Sequence, residues 1–208
     1  MKIAVITEGS TKHRNADVMK ALDGLGHEVI NLGMKNIEGE PDLTYIETGF
    51  MSALALNLKA VDFVVGGCGT GQGYMNVVLQ FPGTACGFIT DPVEAWIYSQ
   101  VNGGNCISLP LNKGYGGVGG DLNVRYILEK LFNETYGAGY PAARADIQVK
   151  ARKKLEGISL TNHRSMPEIL KAMDREVVER TLRFPGVLEF FKTAPASELK
   201  DAVLNYQK

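Results

Sequence analysis

The sequence predicts an α/β fold, a three-layer α/β/α arrangement with a five-stranded parallel Rossmann-like sheet, extended at its C-terminus by helices. Three observations predict it. Short β-branched apolar runs alternate with longer amphipathic stretches, the pattern of parallel strands buried between crossover helices. Of the 24 glycines, 22 lie in residues 1–140. The last 68 positions hold only Gly157 and Gly186 and place apolar residues at helical spacing.

Lys2–Thr7 is the first strand, an unbroken apolar run behind one lysine. Asn15–Gly24 follows as a helix, closed by Leu22-Asp23-Gly24-Leu25-Gly26-His27, because glycine tolerates the positive φ that ends helices. His27–Asn31 is the second strand, Thr44–Leu58 the second helix and Val61–Gly66 the third strand, which runs into glycines and then a further helix. Thr84–Ile89 and Asn105–Leu109 complete the sheet, with Pro92–Val101 and Asp121–Tyr136 as helices. In the tail, Ser165–Asp174, Arg175–Leu182 and Ser197–Tyr206 read as helices, with Pro167 suited to a first turn and Pro185-Gly186 to a break. At roughly 150 residues per domain, this length is one domain with an extension. The division expected is a Rossmann-like unit over residues 1–145 and a helical extension over 146–208, packed on the core or on a neighbouring subunit and without chemistry of its own.

With 45% apolar and 22% charged residues the chain can bury a full core, which excludes disorder. A formal charge of −1 gives no electrostatic footprint for nucleic acid or an anionic membrane. Residues 1–140 hold 9 basic and 14 acidic side chains, and residues 141–208 hold 13 and 9. The basic tail, including Arg152, Lys153 and Lys154, reads as a solvated helical surface. No apolar run approaches the roughly 18 residues of a membrane span, and the N-terminal apolar run is too short for a signal peptide, so a cytoplasmic location is expected. The three cysteines are an odd number without metal-ligand spacing, which fits a reducing compartment and thiols that pack or react singly. No metal site is expected.

The strongest chemical signal is Val64-Val65-Gly66-Gly67-Cys68-Gly69-Thr70-Gly71-Gln72-Gly73, an apolar strand running into glycines around a cysteine and a threonine. Such a turn points backbone N–H groups into a concavity that suits a carboxylate, a phosphate or a developing oxyanion. Gly69 to Tyr74 lacks the glycine that a dinucleotide fingerprint needs, and no phosphate-loop G-x-x-x-x-G-K-[ST] occurs. Cys68, at a strand end within that nest, is placed to be a thiolate and a general base. Cys86 and Cys106 lie in apolar strands and read as core. Lys12, His13 and Arg14 follow the first strand and offer positive charge beside the expected crevice, whereas His27 and His163 read as solvent-facing or structural. Trp96, Tyr98 and Tyr74 read as packing or subunit-contact aromatics. The glycine-dense stretch Gly114–Gly120 follows the fifth strand, where it is either a ligand-approaching loop or a connector.

Cys68-Gly69-Thr70-Gly71 followed by Gly73, on a chain opening Met1-Lys2-Ile3-Ala4 and carrying Asn102 and Asn105 before a fifth strand, resembles the ribose-5-phosphate isomerase B and galactose-6-phosphate isomerase family. The resemblance implies a five-stranded parallel sheet, homodimers or homotetramers with active sites between subunits, and no cofactor. It implies that Cys68 moves a proton between adjacent carbons while Thr70 and the amides of Gly69 to Gly73, including Gly71, stabilise an enediolate. It further implies that Glu8, Asn102 and Asn105 contact substrate hydroxyls.

The departures point to a substrate. Val101 stands where the family has the histidine that opens the sugar ring, and Gly9 where a histidine follows the first-strand acid. The family's arginine- and histidine-rich phosphate segment is here Gly139-Tyr140-Pro141-Ala142-Ala143-Arg144, which retains one arginine. A phosphate dianion takes several charge-assisted donors, while one arginine can hold a carboxylate as a bidentate pair. Together with the longer chain, Gly139-Tyr140-Pro141 resembles a subgroup that includes isomerases of 4-deoxy-L-threo-5-hexosulose uronate, a linear keto-aldehyde acid. The expected activity is therefore cofactor-independent aldose–ketose isomerisation of an open-chain sugar acid. The alternatives are a phosphosugar isomerase and a non-catalytic sugar-binding module.

Overall fold

The computed structural model describes residues 1–113 and 119–206; most of the glycine-dense stretch Gly114–Gly120 therefore lies outside the described residues. Five strands, β1 (Lys2–Thr7), β2 (Glu28–Asn31), β3 (Phe63–Cys68), β4 (Cys86–Phe88) and β5 (Cys106–Pro110), form one parallel sheet in the order β2-β1-β3-β5-β4. The period of two along each strand splits the core. Ile3, Val5, Phe63 and Val65 face the layer of α1 (Asn15–Leu22), α4 (Pro92–Ile97) and α5 (Gly120–Phe132). Ala4, Ile6, Val64 and Cys106 face α2 (Tyr45–Asn57) and α3 (Gln72–Val78).

The third strand ends two residues later than the sequence predicts. Gly66 and Gly67 belong to it because the strand passes tightly between neighbours: a side chain on Gly66 would strike the Tyr74 ring, and one on Gly67 the Leu109 carbonyl. The predicted helix 92–101 divides into α4 and a π-helical turn, Tyr98–Asn102. β4 is also shorter than the predicted Thr84–Ile89.

Ten of the thirteen α2 residues are buried, because α2 is covered on both sides. One side lies on the sheet and the other beneath the tail helices α7 (Met166–Ala172), α8 (Arg175–Arg183), α9 (Val187–Phe191) and α10 (Glu198–Asn205). Leu170, Val178, Phe184, Phe191 and Val203 share one apolar cluster with α2 and the sheet. The tail is thus a partial fourth layer. A helix the sequence reading did not bound, α6 (Ala145–Asn162), connects it and buries none of its residues. Among the described residues no helix is long and apolar enough to cross a membrane.

Candidate active site

In this strand order the chain turns to one side of β1 for β2 and to the other for β3, so the loops leaving β1 and β3 part at a topological switch point, where open α/β sheets hold ligands. Glu8 directly follows the first of these strands, and Cys68 is the last residue of the second. Both are 6% exposed, at the boundary between core and crevice.

The Cys68 side chain packs on the apolar cluster of α2, while its Sγ lies 3.9 Å from the Thr70 hydroxyl, which is exposed. The Cys68 carbonyl accepts the Gly71 N–H at 3.1 Å and the Leu111 N–H at 3.1 Å, folding the loop back on the strand. Gly71, at φ 75°, begins α3 and is wedged so closely that a side chain would collide with Phe88 and the β5 backbone. The Gly71 amide is therefore spent, which corrects the expectation that every amide from Gly69 to Gly73 is open to a ligand. The Gly69 and Thr70 N–H groups meet no acceptor among the described residues.

Two side chains that sequence reasoning missed complete this edge. Ser10 donates its N–H (2.9 Å) and its hydroxyl (2.5 Å) to the Glu8 carboxylate. Asn112, just beyond β5, donates its side-chain N–H to the Ser10 carbonyl at 3.0 Å, and its backbone N–H to the Gly69 carbonyl at 3.1 Å. A methyl on Gly69 would meet both Ser10 Oγ and Asn112 Nδ2 at 3.2 Å. Neither residue has a spacing signature; the one available signal was position, directly after a strand at the sheet's carboxyl edge. Gly73 packs beneath the Tyr45 ring, at 3.1 Å from an ideal Cβ. His13 is exposed on the 3-10 turn Gly9–Arg14 beside this group.

The remaining predicted residues lie elsewhere. Asn105 immediately precedes β5, and Cys68 pairs with Pro110 at the far end of that strand, five residues or about 16 Å away. The Asn105 amide ties the start of β4, accepting the Ala85 N–H at 2.9 Å and donating to the Gly83 carbonyl at 2.7 Å. Asn102 is exposed at the end of the π-helical turn, and Arg144 is exposed on a 3-10 turn, Ala142–Arg144. Arg152 ties the π-helical turn to the segment after α5 by donating to the Val101 carbonyl at 2.9 Å and the Gly137 carbonyl at 2.8 Å. It is half-buried, which corrects its reading as solvated surface; Lys153 and Lys154 are exposed. Tyr140 rests edge-on against Trp96, with centroids 4.9 Å apart.

Other titratable groups nearby are structural. Burial pushes the Tyr74 phenol well above its ordinary range, and the ring bonds Ser52 at 2.6 Å beneath Gly66. A hydrogen bond with Cys106, and then burial, push the Cys86 thiol up, which disfavours its thiolate.

The geometry has counterparts in known proteins. The ribose/galactose isomerase family model matches residues 3–145. A 4-deoxy-L-threo-5-hexosulose-uronate ketol-isomerase, solved with a tartrate, is 39% identical with a TM-score of 0.92, covering 100% of this chain and 98% of its own. A ribose-5-phosphate isomerase from Vibrio parahaemolyticus is 41% identical with a TM-score of 0.93, covering 98% of each chain. The type B ribose 5-phosphate isomerase of Trypanosoma cruzi shares the fold at 16% identity and a TM-score of 0.65, over 78% of this chain and 98% of its own. No curated protein sequence matches. The family model spans more than two thirds of the sequence, and on that ground the chain belongs to the ribose/galactose isomerase family and is a sugar isomerase.

Proposed function

We propose that the chain interconverts an aldose and a ketose by proton transfer through a cis-enediolate, and that its substrate is an open-chain sugar acid of the 4-deoxy-L-threo-5-hexosulose uronate kind. The observation that carries the reading is the Cys68 sulfur beside the Thr70 hydroxyl, with two N–H groups on the same loop that meet no acceptor among the described residues. Cys68, as thiolate, takes the proton from the carbon next to the carbonyl and returns it to the former carbonyl carbon, while the proton of the neighbouring hydroxyl passes to the former carbonyl oxygen. One base near both carbons suffices, and such a group contributes about 10²–10⁴-fold. The Thr70 hydroxyl and the Gly69 and Thr70 amides donate to the oxygen that becomes negative. The Glu8 oxygens, each with a second lone-pair direction beyond the Ser10 bonds, accept from a substrate hydroxyl.

Asn102, Asn105 and Arg144 lie at or beyond the other edge of the sheet, so in this reading they serve the Cys68 of a second copy in a homodimer or homotetramer. Exposed apolar side chains near them, Ile97 and Tyr126 on one flank and Ile147 and Leu155 on α6, support a subunit contact there. The lone Arg144 favours a carboxylate over a phosphate at the distal end of the substrate. A phosphosugar isomerase is the second reading, favoured by the 41%-identical relative, a ribose-5-phosphate isomerase. Incubating the protein with the keto-uronate and with ribose 5-phosphate in deuterated water separates the two. Label uptake and turnover are expected on the uronate. Turnover of the phosphopentose alone would overturn the substrate assignment, and saturable binding without exchange on either would overturn catalysis.

A further inference from the structure

Tail helix α8 meets the segment that precedes α2 through one side chain. Arg180 Nε lies 3.2 Å from a carboxylate oxygen of Glu47, a residue only 4% exposed. Its Nη2 donates to the Asp42 carbonyl at 2.6 Å, and its Nη1 is 3.6 Å from Glu176 on its own helix. Beside it Thr181, fully buried, donates to the Glu47 carbonyl at 3.4 Å. The second Glu47 oxygen accepts the Thr44 N–H at 2.8 Å and its hydroxyl at 2.6 Å, closing a capping box at the start of α2. The short segment from Asp42 to Thr44 is therefore fixed at one end by the guanidinium and at the other by the cap.

The opposite side of that segment abuts the turn carrying Glu8. The Gly9 N–H donates to the Leu43 carbonyl at 2.8 Å. The exposed Asp42 carboxylate lies over Gly9, so a side chain on residue 9 would have to displace it. Gly9 sits between Glu8 and Ser10, whose mutual hydrogen bonds set the carboxylate. A shift of Asp42 and Leu43 is transmitted to Glu8 through one peptide unit.

We propose that Arg180 is a positioning residue for the active site: from the C-terminal extension it holds Asp42 and Leu43 against Gly9 and thereby fixes the Glu8–Ser10 turn. The kinetic part of this inference rests on the isomerase reading above, whereas its structural part is read on the ligand-free protein. Arg180→Ala strips a buried carboxylate of its counter-charge and threatens folding, so Arg180→Lys is the sharper variant. A lysine keeps the charge beside Glu47 but lacks the planar fork that also reaches the Asp42 carbonyl. In folded Arg180→Lys, amide exchange at Gly9 is expected to speed up at least tenfold while the β3 amides stay protected. On the substrate turned over, KM is expected to rise about tenfold with kcat within about twofold, because Glu8 is displaced and Cys68 is not. The pH profile should keep its shape. Wild-type exchange at Gly9, or wild-type KM, in the folded variant would overturn the proposal. If the wild-type protein isomerises none of the sugars tested, the isomerase reading fails and exchange at Gly9 alone decides the role of Arg180.

Discussion

The two edges of the sheet are built in contrasting ways. At the carboxyl edge, the loops after β1, β3 and β5 are tied to one another by the Glu8–Ser10, Ser10–Asn112 and Asn112–Gly69 bonds, and the glycines there have neighbours where side chains would stand. At the far side, Asn102 and Arg144 are exposed, and Arg152 ties the turn of Asn102 to Gly137 through backbone carbonyls alone. A reacting group has to be held to within a fraction of an ångström, so the tightly tied edge suits proton transfer. The exposed set, by contrast, suits recognition of a group presented from outside. In the proposed reaction, chemistry and substrate reading are thus separated by the length of a strand within one chain.

Breaking the chemical edge should have the largest effects. Cys68→Ala is expected to lower deuterium uptake into the substrate about a thousandfold with an unchanged melting temperature. Exchange above a tenth of the wild-type rate would place the base elsewhere. Thr70→Val, which removes one donor from the developing oxyanion, should cost about a hundredfold in kcat with KM little moved; a pure KM effect would make Thr70 a binding group.

The recognition edge should respond differently. Arg144→Ala is expected to raise KM about tenfold and leave kcat nearly intact, the signature of lost uniform binding. If the halves of one site come from two copies, mixing Cys68→Ala chains with Arg144→Ala chains regenerates some sites with both wild-type halves. Activity of the mixture above that of either parent, after exchange of subunits, is the expected result, and strict averaging would remove the two-copy arrangement.

The smallest effect serves as a control away from both sets. The His27 ring lies edge-on to Phe132, centroids 5.0 Å apart, with the Met1 ammonium 3.4 Å from Nδ1. Burial first, and the ammonium second, hold the imidazole below its ordinary value of 6.5. The unfolded chain therefore binds the proton more readily, so this contribution to stability is present above 6.5 and is lost as pH falls toward the folded value. His27→Phe should reduce the fall in melting temperature between about pH 7.5 and about pH 5.5 by about two degrees. An unchanged slope would show that another group sets it.

The sheet was legible because a parallel strand buried on both faces leaves a continuous apolar run, as in Lys2–Thr7, which begins and ends where predicted. β3 ends two residues beyond the predicted Gly66 because Gly67, which reads as the start of a loop, is an in-strand residue that the Leu109 carbonyl requires to be glycine. Helix α6 was not bounded: its apolar residues Ile147, Leu155 and Ile158 stand among many charged ones and stay exposed in their own chain. Ser10 and Asn112 are 102 residues apart and meet only because β1 and β5 flank β3. In the same way Arg152 looks like its lysine neighbours until the helix directs it, and not them, inward.

The shared cluster of α2 and the last four helices also bears on how the chain reaches its native state. Phe184, Phe191 and Val203 close an apolar surface begun by Ala4 and Ile6. Synthesis from the N-terminus therefore cannot seal that surface until the segment from Phe184 to Val203 has left the ribosome. Until then one flank of the sheet stays open to chaperones, or to a neighbouring nascent chain.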